Sequence, residues 1–230
     1  MIVGILQADS VLPQYQAEHG NYPGMFEHLL STHNVQCKHY NVEAMEYPRI
    51  DDCDGYLITG SKKSVYDGEP WIIRLSEFVR ELHQRKKSTV GVCFGHQLIA
   101  HALGGRAQSA PVGWGVGIHE VQVICKESFL DPFLAKVRLI VSHKDQVTAL
   151  PEGAQVIANS DFCPVAMFTV GEHMFGLQGH PEFSKSYSAE MMGHRRKILG
   201  EEKYAEGTRS LDGSLDADVV TSWIVNFLKR

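Results

Sequence analysis

The sequence predicts an α/β fold: an open, mixed, mostly parallel sheet flanked by helices, with an antiparallel β extension. Three observations predict it. Up to Leu103, short apolar runs alternate with stretches of helical period, the pattern of a parallel sheet built by right-handed crossovers. After Gly104-Gly105, short strand-like runs follow one another with little helix between them, which implies an antiparallel extension or a mixed sheet edge. Where these two regimes meet, a β-branched strand turns into an apolar helix across Gly91-Val92-Cys93-Phe94-Gly95.

Each element has its own justification. Ile2 to Leu6 is a continuous apolar run and reads as a buried strand. Gln7 to Tyr22 is polar, contains proline and reads as a loop. Pro23 to Leu30 places Met25, Phe26, Leu29 and Leu30 on one helical face. Val35 to Val42 alternates polar and charged residues like an edge strand. Asp51 to Asp54 is an acidic turn; no metal-ligand spacing follows it, so it reads as a solvated loop. Gly55 to Ser61 is a third strand running into a glycine turn. Pro70 to Leu82 carries Trp71, Ile72, Leu75, Phe78, Val79 and Leu82 at helical spacing, with Pro70 in the first turn. The basic run Arg85-Lys86-Lys87 then serves the helix dipole or a solvated turn.

Thr89 to Val92 reads as the next strand, and Gln97 to Leu103 as a helix ending at Gly104-Gly105. Short strands are expected at 105–108, 117–124, 138–141, 155–159, 164–170 and 173–178. Gly113-Trp114-Gly115-Val116-Gly117 lacks the setting and the lysine of a phosphate loop and reads as a turn or bulge, with Gly113 and Trp114 beside a pocket. Ser186 to Leu199 reads as a helix stopped by Gly200, 201–214 as a polar connector, and Ala217 to Leu228 as an amphipathic helix whose Trp223, Phe227 and Leu228 dock on the sheet. Without repeats or a domain-sized linker, a single domain over 1–230 is expected, with its C-terminal helices at about 185–230.

The glycine-framed cysteine carries chemistry. A nucleophile on so tight a turn is backbone-strained, and glycine neighbours remove the Cβ clash. The turn also sets the sulfur at a helix N-terminus, where the dipole and free N–H groups favour a thiolate. The Phe94 N–H then becomes a candidate oxyanion donor, and Gly60 or Ser61, at the end of the third strand, a second. A thiolate needs a base and the base an orienting group. Gly179-His180-Pro181-Glu182 supplies both, after several strands. His143 with Asp145, in Val141-Ser142-His143-Lys144-Asp145-Gln146-Val147, is the rival pair. His96 lies three residues beyond Cys93 on the elbow helix, and that spacing points it away from the sulfur. Gln97 has an amide that can both donate and accept, which suits a carboxamide-bearing amino acid; a capping or core-edge role is its alternative.

With Gly91-Val92-Cys93-Phe94-Gly95-His96-Gln97 and Gln178-Gly179-His180-Pro181-Glu182 in this order, the chain resembles the class I, or triad, glutamine amidotransferases from Met1 to about Phe183. It looks most like the glutaminase domain of GMP synthase and its stand-alone relatives, which include γ-glutamyl peptidases. The resemblance implies a flavodoxin-like fold, with Cys93 as nucleophile, His180 as base and Glu182 as its partner. It implies that Gln97, Ser142 and His143 bind substrate, the Ser-His-x-Asp segment doing so through main-chain groups; Trp114, in its glycine-rich turn, is a further candidate for the substrate pocket. Gly60-Ser61-Lys62-Lys63-Ser64 departs from the family, many of whose members carry proline after the serine; Lys62 is therefore a candidate for altered substrate preference.

The implied reaction is glutamine hydrolysis to glutamate and ammonia through a thioester, without cofactor or metal. A stand-alone γ-glutamyl peptidase is the alternative, and a non-catalytic binding protein on the same fold is a second. No Ser-Gly-Gly-x-Asp-Ser or Walker loop marks an ATP site, so any ammonia acceptor would be a synthetase on a separate chain. A net charge of −5 argues against a nucleic-acid surface. No apolar run reaches membrane-spanning length, and Met1 to Leu6 lacks the basic flank of a signal peptide. Five scattered cysteines without a Cys-x-x-Cys pair fit reduced thiols and a cytoplasmic protein.

Overall fold

A computed structural model describes residues 1–230. The first strands form because continuous apolar runs can bury both faces, and they pair in parallel because helices connect them. β1 (Ile2–Gln7) lies between β2 (Gln36–Asn41) and β3 (Gly55–Ile58), and β3 pairs in parallel with β4 (Thr89–Val92). The helices are α1 (Pro13–His19) and α2 (Tyr22–Leu30) before β2, α3 (Pro70–Gln84) before β4, and α4 (Phe94–Ala102) after it. Every apolar position expected to face inward on α3 is buried.

The second half is built differently. β5 (Arg106–Ser109) pairs with β8 (Asp145–Ala149) in a separate two-stranded sheet. β6 (Gly115–Val123), β7 (Lys136–His143), β9 (Ala154–Asn159), β10 (Met167–Val170) and β11 (Met174–Leu177) extend the main sheet. Its order is β2-β1-β3-β4-β11-β10-β9-β6-β7, nine strands in all. Pairing is parallel from β2 to β11 and antiparallel from β11 to β7. The mixed sheet with an antiparallel extension is therefore the one the sequence predicts. α5 (Lys185–His194), α6 (Arg196–Leu199), α7 (Glu201–Ser210) and α8 (Ala217–Leu228) close the chain.

Two apolar layers sandwich the sheet. On one face Phe26 and Leu30 of α2 and Trp223, Ile224 and Phe227 of α8 pack on Val3, Ile5, Val90 and Phe175. On the other, Leu75, Phe78 and Val79 of α3 and Leu98 and Ile99 of α4 pack on Leu6, Tyr56 and Ile58. At roughly 1.5–3 kcal/mol for each fully buried large side chain, these layers dominate the stability of the fold. No helix is long and apolar enough to cross a membrane.

Four local expectations are corrected. The stretch 7–22 contains α1, which buries none of its residues and so shows no apolar stripe. The connector expected at 201–214 is helical over Glu201–Ser210; it buries only Gly207, which packs against Val116 of β6. The elbow helix begins at Phe94 rather than Gln97, and β8 follows the Ser-His-x-Asp turn as a strand of its own.

Candidate active site

The parallel pairing of β4 with β11 creates the site. Val92 lies opposite Leu177, so both strands end at one level. Cys93 is the next residue on one side, and its N–H donates to the Leu177 carbonyl at 2.9 Å. His180 comes three residues after Leu177 and is fixed when its N–H donates to the Ile140 carbonyl of β7 at 2.8 Å.

Cys93 has φ 52° and ψ −98°, outside the regions that L-residues ordinarily occupy. The glycines beside it are required by contact. A Cβ on Gly91 would lie 2.4 Å from the Gly95 carbonyl carbon, and one on Gly95 would lie 2.5 Å from the Ile58 carbonyl oxygen. Backbone from β3, β4 and α4 thus meets at van der Waals distance, and the sulfur is carried at the N-cap of α4. The Phe94 N–H, first in the helix, donates to no acceptor in the chain, and neither do those of Gly60 and Ser61. Gly60 sits close to both side chains: a Cβ there would lie 3.0 Å from His180 Cε1 and 3.7 Å from Cys93 Cβ.

The His180 imidazole is buried and donates from Nδ1 to Glu182 Oε1 at 2.7 Å. Its ring stacks on Phe183 with centroids 3.9 Å apart and planes 7° from parallel. Burial pulls the imidazole down, but the Glu182 carboxylate and the Cys93 sulfur together outweigh it and push it up to about 10. The side chains of Cys93, His180 and Glu182 are thus brought together.

Two cavities meet at Cys93. The larger, about 520 Å³, is an open cleft that Ser61, Gln97, Trp114, Ser142, His143 and Asp145 help to line. Every expected substrate-binding residue therefore faces one space. Gln97 has committed both amide protons, to the Asp145 carbonyl at 2.9 Å and Gln178 Oε1 at 3.1 Å. Only its oxygen remains, so it can accept from a ligand but not donate, a correction to the two-way role expected of it. The rival His143–Asp145 pair does not form through side chains. His143 Nδ1 donates to the Asp145 backbone carbonyl at 3.0 Å, while the Asp145 carboxylate accepts from Ser64 Oγ at 2.5 Å. Burial, with nearby histidines, holds His143 neutral, down at about 3. His96 lies wholly inside the protein against Phe168, its imidazole likewise brought down to about 3 by burial, and takes no place in the cleft.

Several residues of the site carry no sequence signal. Asp9, buried after β1, accepts from Lys62 Nζ at 2.7 Å and the Lys62 N–H at 2.8 Å, and so clamps the Gly60-Ser61 turn. Arg195, at the end of α5, donates to Ser142 Oγ at 2.7 Å and lies 5.4 Å over the Trp114 ring. The second cavity, about 270 Å³, brings Tyr22, Phe183, Met191 and Arg195 to the His180 side of Cys93. Away from both, Glu18, His19 and Glu190 offer three possible metal-ligand atoms within 4.8 Å, with His19 already 3.2 Å from Glu190. The acidic turn is spent on chain partners: Asp51 pairs with Arg85, Asp52 with Arg49, and Asp54 accepts the Ile2 N–H.

Comparison with known proteins places the chain in a family. Residues 21–195 match the family model described as glutamine amidotransferase class-I. Gamma-glutamyl peptidase 3 of Arabidopsis thaliana is 30% identical over 92% of this chain and 90% of its own. The glutamine-hydrolyzing GMP synthase of Clostridium novyi is 30% identical over 76% of this chain but only 34% of its own. A crystal structure of a glutamine amidotransferase from Thermotoga maritima superposes with TM-score 0.76 at 18% identity, over 99% of this chain and 95% of that one, a likeness of fold. An elbow cysteine and a His-Glu pair just beyond the ends of adjoining parallel strands, a family model spanning most of the sequence and relatives aligned nearly end to end lead to one conclusion: the chain belongs to the class I glutamine amidotransferase family.

Proposed function

We propose that the protein hydrolyses the γ-amide bond of a γ-glutamyl compound, glutamine being the simplest, by covalent catalysis at Cys93. The observation that carries this reading is the convergence of Cys93, His180 and Glu182 at the ends of β4 and β11, with unpaired N–H groups of Phe94 and the Gly60-Ser61 turn beside them. The Cys93 thiolate attacks the γ-carbonyl carbon, and those N–H groups hold the resulting oxyanion. The C–N bond breaks as the imidazolium of His180 gives its proton to the leaving nitrogen, leaving a thioester. Water, deprotonated by neutral His180, hydrolyses the thioester, releases glutamate and restores the thiolate–imidazolium pair. Glu182 holds the tautomer and orientation of His180 throughout.

Gln97 Oε1, the acceptor left free in the cleft, suits the α-ammonium of a glutamyl group. No metal or cofactor enters this scheme. With glutamine as substrate, the ammonia would pass to a synthetase on a separate chain. A related protein of Methanosphaera stadtmanae, whose name makes it one subunit of a glutamine-hydrolyzing GMP synthase, suggests such an arrangement. A second reading, action alone on γ-glutamyl peptides, is favoured by the cavity on the His180 side of Cys93, which ammonia as leaving group does not need.

The test is a substrate panel. Glutamate release is measured from glutamine and from γ-glutamyl dipeptides, with wild type and Cys93→Ala. Wild-type turnover that vanishes in the variant supports the reading; equal release by both proteins, or none by either, contradicts it and favours a non-catalytic role.

A further inference from the structure

Arg195 is a charge without a counter-charge at the centre of the molecule's chemistry. It is half-buried, and its one side-chain partner is the neutral hydroxyl of Ser142. No carboxylate lies within ion-pair distance of it, whereas Lys62 is paired with Asp9 and Lys63 with Glu69. Trp114 under the guanidinium and Ser142 beside it hold the side chain at the junction of the two cavities. A fixed, partly desolvated guanidinium with free donors is a ready receptor for a carboxylate, which it can grip through two parallel hydrogen bonds.

The place of His180 decides which carboxylate. His180 must give its proton to the departing nitrogen, so that nitrogen faces the second cavity. Carbon attached to it extends along the wall that Phe183, Tyr22 and Met191 help to make, two aromatic rings and a thioether. Arg195 lines the same cavity. An amine bearing a short carbon chain and a carboxylate fits this set of surfaces: proton donor, apolar wall, cation.

Resting on the proposed γ-amide hydrolysis, we infer that Tyr22, Met191 and Arg195 form a leaving-group subsite, which selects γ-glutamyl amides whose amine half carries a carboxylate, as a γ-linked amino acid does. Arg195 is its specificity-determining residue. The chemistry of the triad is unchanged: the C–N bond that breaks joins the γ-carbon to the amino nitrogen of that acid, and the products are glutamate and the free amino acid.

The experiment compares kcat/KM for γ-glutamylglycine and for its uncharged counterpart γ-glutamylglycinamide, in wild type, Arg195→Gln and Arg195→Lys, with glutamine as a third substrate. Wild type is expected to prefer the carboxylate by about tenfold or more, the order of one charge-assisted contact. Arg195→Gln brings the ratio close to one, and Arg195→Lys retains part of the preference. Circular dichroism and thermal melting of each variant establish that it is folded; the ratio is internal to each protein and is insensitive to its active fraction. A ratio unchanged in Arg195→Gln, with all substrates falling together, overturns the subsite and assigns Arg195 to the glutamyl half. Wild-type turnover of glutamine alone overturns the subsite but leaves γ-amide hydrolysis standing. Turnover of none of the three overturns both.

Discussion

Replacing Glu182 by glutamine keeps the size of the side chain and removes the charge that the site is built around. The wild-type imidazole stands at about 10 against an ordinary 6.5. At roughly 1.4 kcal/mol per unit, this is on the order of 5 kcal/mol in favour of the imidazolium. Burial, the largest single influence on His180, acts in the other direction, and the Glu182 charge is the largest influence opposing it. In Glu182→Gln the largest influence opposing burial is lost, and the imidazole falls toward its ordinary range. The glutamine amide can also donate to Nδ1 and hold the wrong tautomer. kcat/KM should therefore fall by about 10²- to 10⁴-fold near neutral pH.

The pH profile carries a second sign. Wild type loses its proton donor as pH rises through about 10, so its alkaline limb lies there, while the variant's limb lies lower. Stability follows the same rule. The folded value is raised, so the contribution is fully present below about 6.5 and is lost as pH climbs through about 10. The assay is glutamate release from pH 5 to 11, with the His180 resonances followed by NMR over the same range. An unshifted alkaline limb, with activity reduced less than about threefold, would refute the assignment of Glu182 as the group that charges His180.

Two further substitutions test the backbone around the sulfur. Gly60→Ala sets a methyl 3.0 Å from His180 Cε1, close to both side chains, and should lower kcat/KM by about 10- to 100-fold with little change in Tm. Activity within about twofold of wild type would remove that turn from the oxyanion site. Gly95→Ala drives a Cβ to 2.5 Å from the Ile58 carbonyl and 2.8 Å from Ile58 Cβ, a clash against backbone that should lower Tm by roughly 6 °C or more; calorimetry showing a Tm within about 2 °C of wild type would contradict the close approach of β3 and α4.

What could be read from the sequence followed the strength of local signals. The parallel half was legible because β1, β3 and β4 are unbroken apolar runs and α3 repeats its apolar residues at helical spacing. Cys93 was legible because a glycine two residues away on each side is so specific a steric demand. His180 and Glu182 were found by motif and by the need of a thiolate for a base; their proximity to Cys93 arises from the β4–β11 pairing, which no local pattern encodes. The helices α1 and α7 escaped because neither buries an apolar stripe.

The residues that complete the site escaped for a different reason. Arg195 sits in the run Arg195-Arg196-Lys197, which reads as a solvated helix end, and only the fold turns one of the three toward Trp114. Asp9 lies in a loop 53 residues from its partner Lys62. Their meeting gives a physical role to Lys62: a clamp formed by one buried carboxylate holds this turn. Both contacts depend on which strands are neighbours, and neighbour relations are a property of the whole chain.

The central claim is that Cys93 is a nucleophile poised for a γ-glutamyl carbonyl. Treating the protein with a diazo-ketone analogue of glutamine and locating the adduct by peptide mass spectrometry tests it most directly. The account predicts one adduct, on Cys93, formed in step with loss of activity and slowed by excess glutamine, while Cys37, Cys53, Cys125 and Cys163 stay unmodified. Inactivation with Cys93 unlabelled, or no labelling at any concentration of the reagent, would contradict it.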